Sequence, residues 1–261
     1  MKSYLDLVPI SAKVHRKQNR MSIICIVLAV FLVTAIFGMA DMFIKGQILQ
    51  EQQVKGNWHI GIKGISDEDA TLISSRPEVA TVADYGVLNF RGEQGYTLSG
   101  KNVVICGSNE SAVTEIFNTL DEGTFPANEN EALVTNNAKN LLDLGAGEEI
   151  AITMPDGNEK TYTISGFMNN AAKLMSEDSY GIFLTTESFR AIYPDSASID
   201  FSDYTMRLVQ FNNTRNIQNN IADIKQQFDL SDEQVLENTT LLGLLGQSGN
   251  SFMLQIYATA V

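Results

Sequence analysis

The spacing of apolar and polar residues changes three times along this chain. From Met21 to Ala40, MSIICIVLAVFLVTAIFGMA, about twenty residues pass without a charge and are apolar on every side of a helix. At 1.5 Å per residue such a helix spans roughly 30 Å, the thickness of a bilayer's hydrocarbon core. Asp41 to Val54 holds few breakers apart from Gly46, and Ile44 and Ile48 recur at helical spacing, which predicts the same helix continuing as a stalk. From Asn57 the period shortens. NWHIGIKG reads as a strand, and Ser66-Asp67-Glu68-Asp69 as a capping box that opens a helix through Ala70, Leu72 and Ile73. EVATVADYGVLNF and YTLSGKNVVICG read as two strands joined through the Gly92–Gly95 turn, and ESAVTEIFNTL as a helix.

The middle carries the sharpest pattern. Glu131 to Thr135 predicts a strand and Asn136 to Leu142 a short helix. EEIAIT and EKTYTISGF then flank the turn Pro155-Asp156-Gly157-Asn158, with Ile150, Ile152 and Met154 alternating on one arm and Tyr162 and Ile164 on the other. YGIFLTT and YTMRLVQF add strands, with the helix TESFRAIY after the first. Ile217, Ile221, Ile224 and Phe228 mark one face of an amphipathic helix. Ser231-Asp232-Glu233-Gln234 predicts a second capping box, opening a helix through Val235 and Leu236. The expected fold is α+β, of two subdomains with one inserted at about 120–200, and with a helix at each end. Ser251 to Val261, SFMLQIYATAV, is again uncharged; its eleven residues make about 16 Å of helix, half a bilayer. It reads as the start of a second transmembrane helix that continues past Val261.

Charge orients these segments. Residues 1–20 hold Lys2, Lys13, Arg16, Lys17 and Arg20 against Asp6 alone, while the whole chain carries −13. The positive-inside bias, set by Lys13, Arg16, Lys17 and Arg20, makes 1–20 a cytoplasmic basic head, 21–40 a transmembrane helix, 41–250 an extracytoplasmic domain and 251–261 the truncated second span. The head mixes apolar with basic residues, so it suits either a short helix on the inner membrane surface or a frayed tail. A cleaved signal peptide with Gly38-Met39-Ala40 as its small-x-small site competes with the anchor, but the apolar run is longer than an h-region and the n-region is long. A basic head on an acidic body argues against nucleic acid as a partner. The acidity can steer cationic peptides, but a solvated, solubilising surface is the better explanation, because the sequence locates no acidic cleft.

Candidate chemistry is sparse. Cys25 lies in the apolar run and Cys106 in a strand far from it, so both are expected to be free and inert. His15 and His59 have no Cys, Ser elbow or second His at useful spacing, no Walker A sequence occurs, and the acidic clusters Asp67–Asp69 and Glu129–Glu131 lack a calcium-loop pattern. No catalytic, cofactor or metal residue is expected. Three N-x-[ST] sequons, at Asn109, Asn212 and Asn238, arise easily by chance in an Asn-rich chain.

The stretch EGTFPANENEALVTNNAKNLLDLGAGEEIAITMPDGNEKTYTISGFMNN resembles the extracytoplasmic core domain of MacB/FtsX-like ABC transporter permeases. The family pattern falls on Gly123 and Pro126, on Glu131 opening a strand, on Ala138 in a helix, on Leu144-Gly145, on Gly147-Glu148 and on Ile164 to Gly166. These are folding positions, glycines at turns and aliphatics in the core. The opening through Met42 is similar to permeases of Gram-positive bacteria. The resemblance implies a plasma-membrane, multi-pass permease subunit, paired with a second permease and bound to a separate ATPase. It implies motion passed through stalks to the outer domain, for export, resistance or mechanotransmission, with no cofactor. An extracellular peptide or other ligand is a candidate partner. The competing reading is a single-span anchor that displays an acidic sensor domain without transport.

Overall fold

The computed structural model describes residues 16–169, 179–193 and 205–247. Two compact units divide the chain, Met1–Gln47 and Ile48–Val261. The first is helical throughout its described part. It holds most of α1 (Arg16–Lys55), a single 40-residue helix that is about 60 Å long and unites the expected span and stalk. Neither Gly38 nor Gly46 interrupts it. The expected second span, 251–261, lies outside the described residues.

The second unit is α+β. Its elements run β1 (Ile60–Ile62), α2 (Asp67–Ser74), β2 (Val79–Leu88), β3 (Thr97–Leu98), β4 (Lys101–Ser108), a π-helical turn (Ala112–Ile116) and β5 (Leu120–Gly123). Then follow β6 (Glu131–Thr135), α3 (Asn136–Leu142), β7 (Glu149–Thr153), β8 (Glu159–Met168), β9 (Tyr180–Thr185) and α4 (Thr186–Ile192). β10 (Thr205–Phe211), α5 (Ile217–Gln227), β11 (Val235–Glu237) and α6 (Thr239–Leu244) complete the described part.

The strands join in one hydrogen-bonded network with two regions. β4, β3, β7, β8, β6 and β9 pair in that order, and β9 returns parallel to β4, so six strands close into a ring. From the second half of β4 an open arm continues antiparallel through β2, β10, β1 and β11. Alternation along the ring strands splits their side chains between two cores. Val103, Ile105, Ile150, Ile152, Ile164 and Ile182 fill the inside of the ring. Their outward neighbours Val104, Cys106, Leu133 and Phe183 pack with Phe117 and the π-helical turn. A third core lies under α2 and α5, where Ile73, Ile217, Ile221 and Ile224 cover Ile60, Ile62 and Val209.

Two expectations fail and a third is refined. YTLSGKNVVICG is not one strand: Ser99 and Gly100 both have positive φ, at 50° and 77°, and this two-residue turn folds β3 back on β4. ESAVTEIFNTL is helical as expected, though not as a regular α-helix. It makes one π-helical turn, closed by the Phe117 N–H donating to the Ala112 carbonyl at 2.9 Å, and Asn118 at φ 47° turns the chain toward β5. The Ser231–Gln234 box forms, with the Ser231 N–H donating to Gln234 Oε1 at 3.1 Å, but it closes a turn rather than starting a helix. Val235–Glu237 pairs with β1 as an edge strand, because β1 otherwise leaves an unpaired edge. The cap that starts the last described helix is Asn238, whose side chain accepts from the Leu241 N–H.

Candidate functional site

The span comes first. Arg16, Lys17 and Arg20 occupy the opening turns of α1, all exposed, and no acidic residue shares the first turn. Lys13 lies outside the described residues. From Met21 to Met39 the large apolar side chains are 47–69% exposed, and they point to every side of the helix. A soluble helix hides one stripe and wets the other; one that is apolar all round needs lipid as its solvent. Thr34, the one hydroxyl in its middle, donates to the Val30 carbonyl at 2.8 Å, so its polar group is satisfied within the helix. Among the described residues one helix is long and apolar enough to cross a membrane.

The motif positions gather around one short piece of β8, Thr163 to Gly166. Gly123 and Gly166 sit opposite each other where β5 pairs with β8. A Cβ on Gly166 would lie 3.0 Å from Gly123 Cα and from Thr124 N, and one on Gly123, at φ 80°, would lie 2.6 Å from Gly166 Cα. Gly123 is glycine both for its positive φ and for this backbone contact, whereas at Gly166 the contact of two backbones alone requires glycine. The loop between them and β6, with Pro126 buried, is held by Glu131. Its carboxylate accepts from the Ala127 N–H and from Asn128 Nδ2, both at 2.8 Å. On the other side, the Gly147 N–H donates to the Ile164 carbonyl at 2.9 Å and the Ile164 N–H to the Glu148 carbonyl at 2.8 Å. Gly145 opens that turn, its N–H donating to Glu148 Oε2 at 2.9 Å, and Gly147 at φ 85° fills the position where only glycine is relaxed. Leu144 packs partly buried on the ring core, and Ala138 is fully buried within it, away from this corner.

Two polar positions that carry the architecture had no signal in the pattern. Asn89, 1% exposed at φ 62°, stands where the edge of β4 passes from β3 to β2. Its Nδ2 donates to the carbonyls of Tyr96 and Val103, each at 2.8 Å, and to Asn102 Oδ1; its Oδ1 accepts the N–H groups of Gln94 and Gly95. Asn tolerates positive φ, which is the only hint the sequence holds. The second is the junction of the first and last elements. His59 Nδ1 accepts the Phe211 N–H at 3.0 Å, the His59 carbonyl accepts the Asn238 N–H at 2.9 Å, and Asn238 Nδ2 donates to the Trp58 carbonyl at 3.0 Å. Burial lowers the His59 pKa to about 4, so the imidazole is neutral and acts as an acceptor in the core. Asn238, buried in this junction, is structural. Cys25 and Cys106 are both free, and burial pushes the Cys106 thiol up to about 12, far from a reactive thiolate. Among the described residues no group of His, Cys, Asp and Glu is arranged to hold a metal.

With this geometry in hand, comparison with known proteins assigns the family. The model of the MacB-like periplasmic core domain matches residues 21–227, and the chain belongs to that family. It is the extracytoplasmic domain, with its N-terminal apolar helix, of a MacB/FtsX-like ABC transporter permease. Among solved structures it is similar to the periplasmic region of MacB from Actinobacillus actinomycetemcomitans. That match has 10% identity and a TM-score of 0.47, and covers 77% of this chain and 98% of that one. It is also similar to the extracellular domain of the noncanonic ABC-type transporter YknZ from Gram-positive bacteria, at 12% identity and a TM-score of 0.46, covering 69% and 98%. No curated protein matches the sequence.

Proposed function

We propose that the chain forms part of the permease subunit of an ABC transporter, coupling ATP hydrolysis by a separate ATPase subunit to movement of its outer domain, for export, resistance or mechanotransmission. Residues 1–20 lie on the cytoplasmic side, 21–40 in the plasma membrane and 41–250 outside. The permease is multi-pass, pairs with a second permease and belongs to a Gram-positive cell. The observation that carries this reading is the continuity of α1. One unbroken helix runs from the basic flank through the apolar run to Lys55, and its last turn is fastened to the domain. There Lys55 Nζ donates to Thr240 Oγ1 at 3.2 Å and Trp58 Nε1 to the Lys55 carbonyl at 2.8 Å. The helix holds no proline and is not interrupted at Gly38 or Gly46, and an uninterrupted helix is suited to pass on a push or a twist.

The test is purification of the tagged full-length protein from its own membranes in mild detergent. A Walker A ATPase is expected to co-purify and hydrolyse ATP. Inserting Pro-Gly after Gln50 is expected to leave that complex intact and abolish the transport or resistance it supports. Recovery of the protein with no ATPase, under conditions that preserve such complexes, would instead favour the single-span sensor.

A further inference from the structure

The apolar surface of α1 does not end where its charge-free run ends. Asp41 is the first charge after Met21, and on charge alone the span stops at Ala40. Met42 and Phe43 follow it, 75% and 56% exposed, and Met42 is the most exposed large apolar side chain among the described residues. With Met39, 69% exposed, they stand at i, i+3 and i+4. The three therefore adjoin on one side of the helix and prolong the surface of the span by a turn. Ile44, in the same turn, is buried and takes no part in that surface. Further out the pattern changes. Leu49 is 60% exposed but stands among Gln47, Gln50 and Glu51, as single apolar side chains do on any wetted surface.

The charge that interrupts this surface is already neutralised. Asp41 and Lys45 form an ion pair at 2.8 Å, four residues apart, with the acid N-terminal to the base as a helix prefers. Their side chains are 62% and 70% exposed, so both reach the surroundings of the helix. A paired carboxylate is tolerated in the hydrated headgroup layer. The Lys45 stem can lie along the acyl boundary with its ammonium among lipid phosphates. From Met21 to Ile44 the helix rises about 36 Å, more than the roughly 30 Å of the hydrocarbon core and less than the roughly 40–45 Å that include the headgroups.

We propose that the outer leaflet of the bilayer reaches to Lys45. Met42 and Phe43 lie against its acyl boundary, and the Asp41–Lys45 pair sits among the headgroups with the ammonium facing lipid phosphate. Two features select lipid as the occupant: the surface is continuous with the lipid-facing span, and a cation stands at its outer end. The inference rests on residues 21–40 crossing the membrane, and it draws the headgroup layer over the first turn beyond them.

Spin labels test it. Single cysteines replace Val30, Met42, Phe43 or Gln50 in a Cys25→Ser background, where Cys106 is buried. Each labelled chain is reconstituted into liposomes of phosphatidylcholine and phosphatidylglycerol. Power saturation compares collisions with oxygen, which concentrates in lipid, and with a nickel chelate, which stays in water. At 42 and 43 the oxygen-to-nickel ratio is expected to lie below that at 30 and at least about fivefold above that at 50, about 10 Å further along the helix. Lys45→Glu sets two carboxylates one turn apart against lipid phosphate. It is expected to lower the ratio at 43 about twofold and leave that at 30 unchanged. Far-UV circular dichroism checks that each variant keeps its helix. A ratio at 42 and 43 equal to that at 50 would return the boundary to Ala40 and overturn the proposal while leaving the span intact. Exclusion of both reagents at 42 and 43 would show that protein, such as a second copy, covers this turn, and would overturn it too. An unchanged ratio in Lys45→Glu would remove the headgroup contact, and a water-exposed label at Val30 would remove the span itself and the proposal with it.

Discussion

Two pairs of facing glycines sit in this domain, and they meet different neighbours. At Gly123 and Gly166 the strands β5 and β8 approach until backbone meets backbone, and no space remains. At Gly86 and Gly107 the strands β2 and β4 also pair glycine with glycine, but the space over Gly107 is filled by the Phe189 side chain. The neighbour of Gly107 is a side chain, Phe189, where the neighbours of Gly166 are Glu122, Gly123 and Thr124 main chain. The difference lies in what can yield. A side chain can turn, or move with the short helix that carries it, whereas the backbone of a paired strand cannot move without breaking its ladder.

That contrast is broken or sharpened by substitution. Gly166→Ala is expected to be the most damaging, lowering stability by more than about 3 kcal/mol in urea unfolding of the detergent-solubilised chain, because the added methyl meets only main chain. Survival of Gly166→Ala with an unchanged midpoint would show that β5 yields after all and erase the distinction. The His59 junction, equally packed, gives a comparable effect through pH. The unfolded imidazole titrates near 6.5 and the buried one near 4, so the unfolded state binds the extra proton between them. His59 should therefore withdraw on the order of 3 kcal/mol of stability as pH falls from about 6.5 to about 4, with no further loss below. Urea midpoints of wild type and His59→Asn at pH 7.5, 5.5 and 4 measure it as a difference, and parallel pH profiles would refute it. Gly107→Ala should cost less than Gly166→Ala, about 1–3 kcal/mol, because its Cβ would lie 2.2 Å from Phe189 Cγ and 2.4 Å from Phe189 Cβ, so a packed side chain must move rather than a paired backbone. Phe189→Ala, which removes Cγ, should cost less in the Gly107→Ala background than in the wild type, whereas additive losses would mean that the Gly107–Phe189 contact is not what limits Gly107.

The sequence pattern was informative where folding is decided within a few residues. The hairpin of β7 and β8 was legible because Pro155-Asp156-Gly157-Asn158 interrupts two arms of strict alternation. The buried face of α5 was legible because Ile217, Ile221 and Ile224 recur at helical spacing and are buried together. Val235–Glu237 was misread because three residues after a good capping sequence suit a helix until β1 offers its free edge. The motif glycines were marked as turn residues, and Gly123 and Gly147 do have positive φ. The role of Gly166 was hidden, since no local pattern records that the chain some forty residues earlier passes against it. Asn89 was missed for the same reason: its five hydrogen-bond partners come from the loop after it and from β4.

By itself the sequence determined the apolar run, its basic flank and the single long helix they form, because hydrophobicity and helix propensity act residue by residue and need no partner. It also determined which side of each regular strand is apolar. Only the tertiary structure decided that β9 returns parallel to β4 and closes a ring, that the inner and outer residues of those strands serve two different cores, and that Gly107, paired with Gly86, lies against Phe189. These depend on which distant strand comes to lie alongside. That choice is set by the sum of many weak pairings over the whole sheet and is written in no single segment.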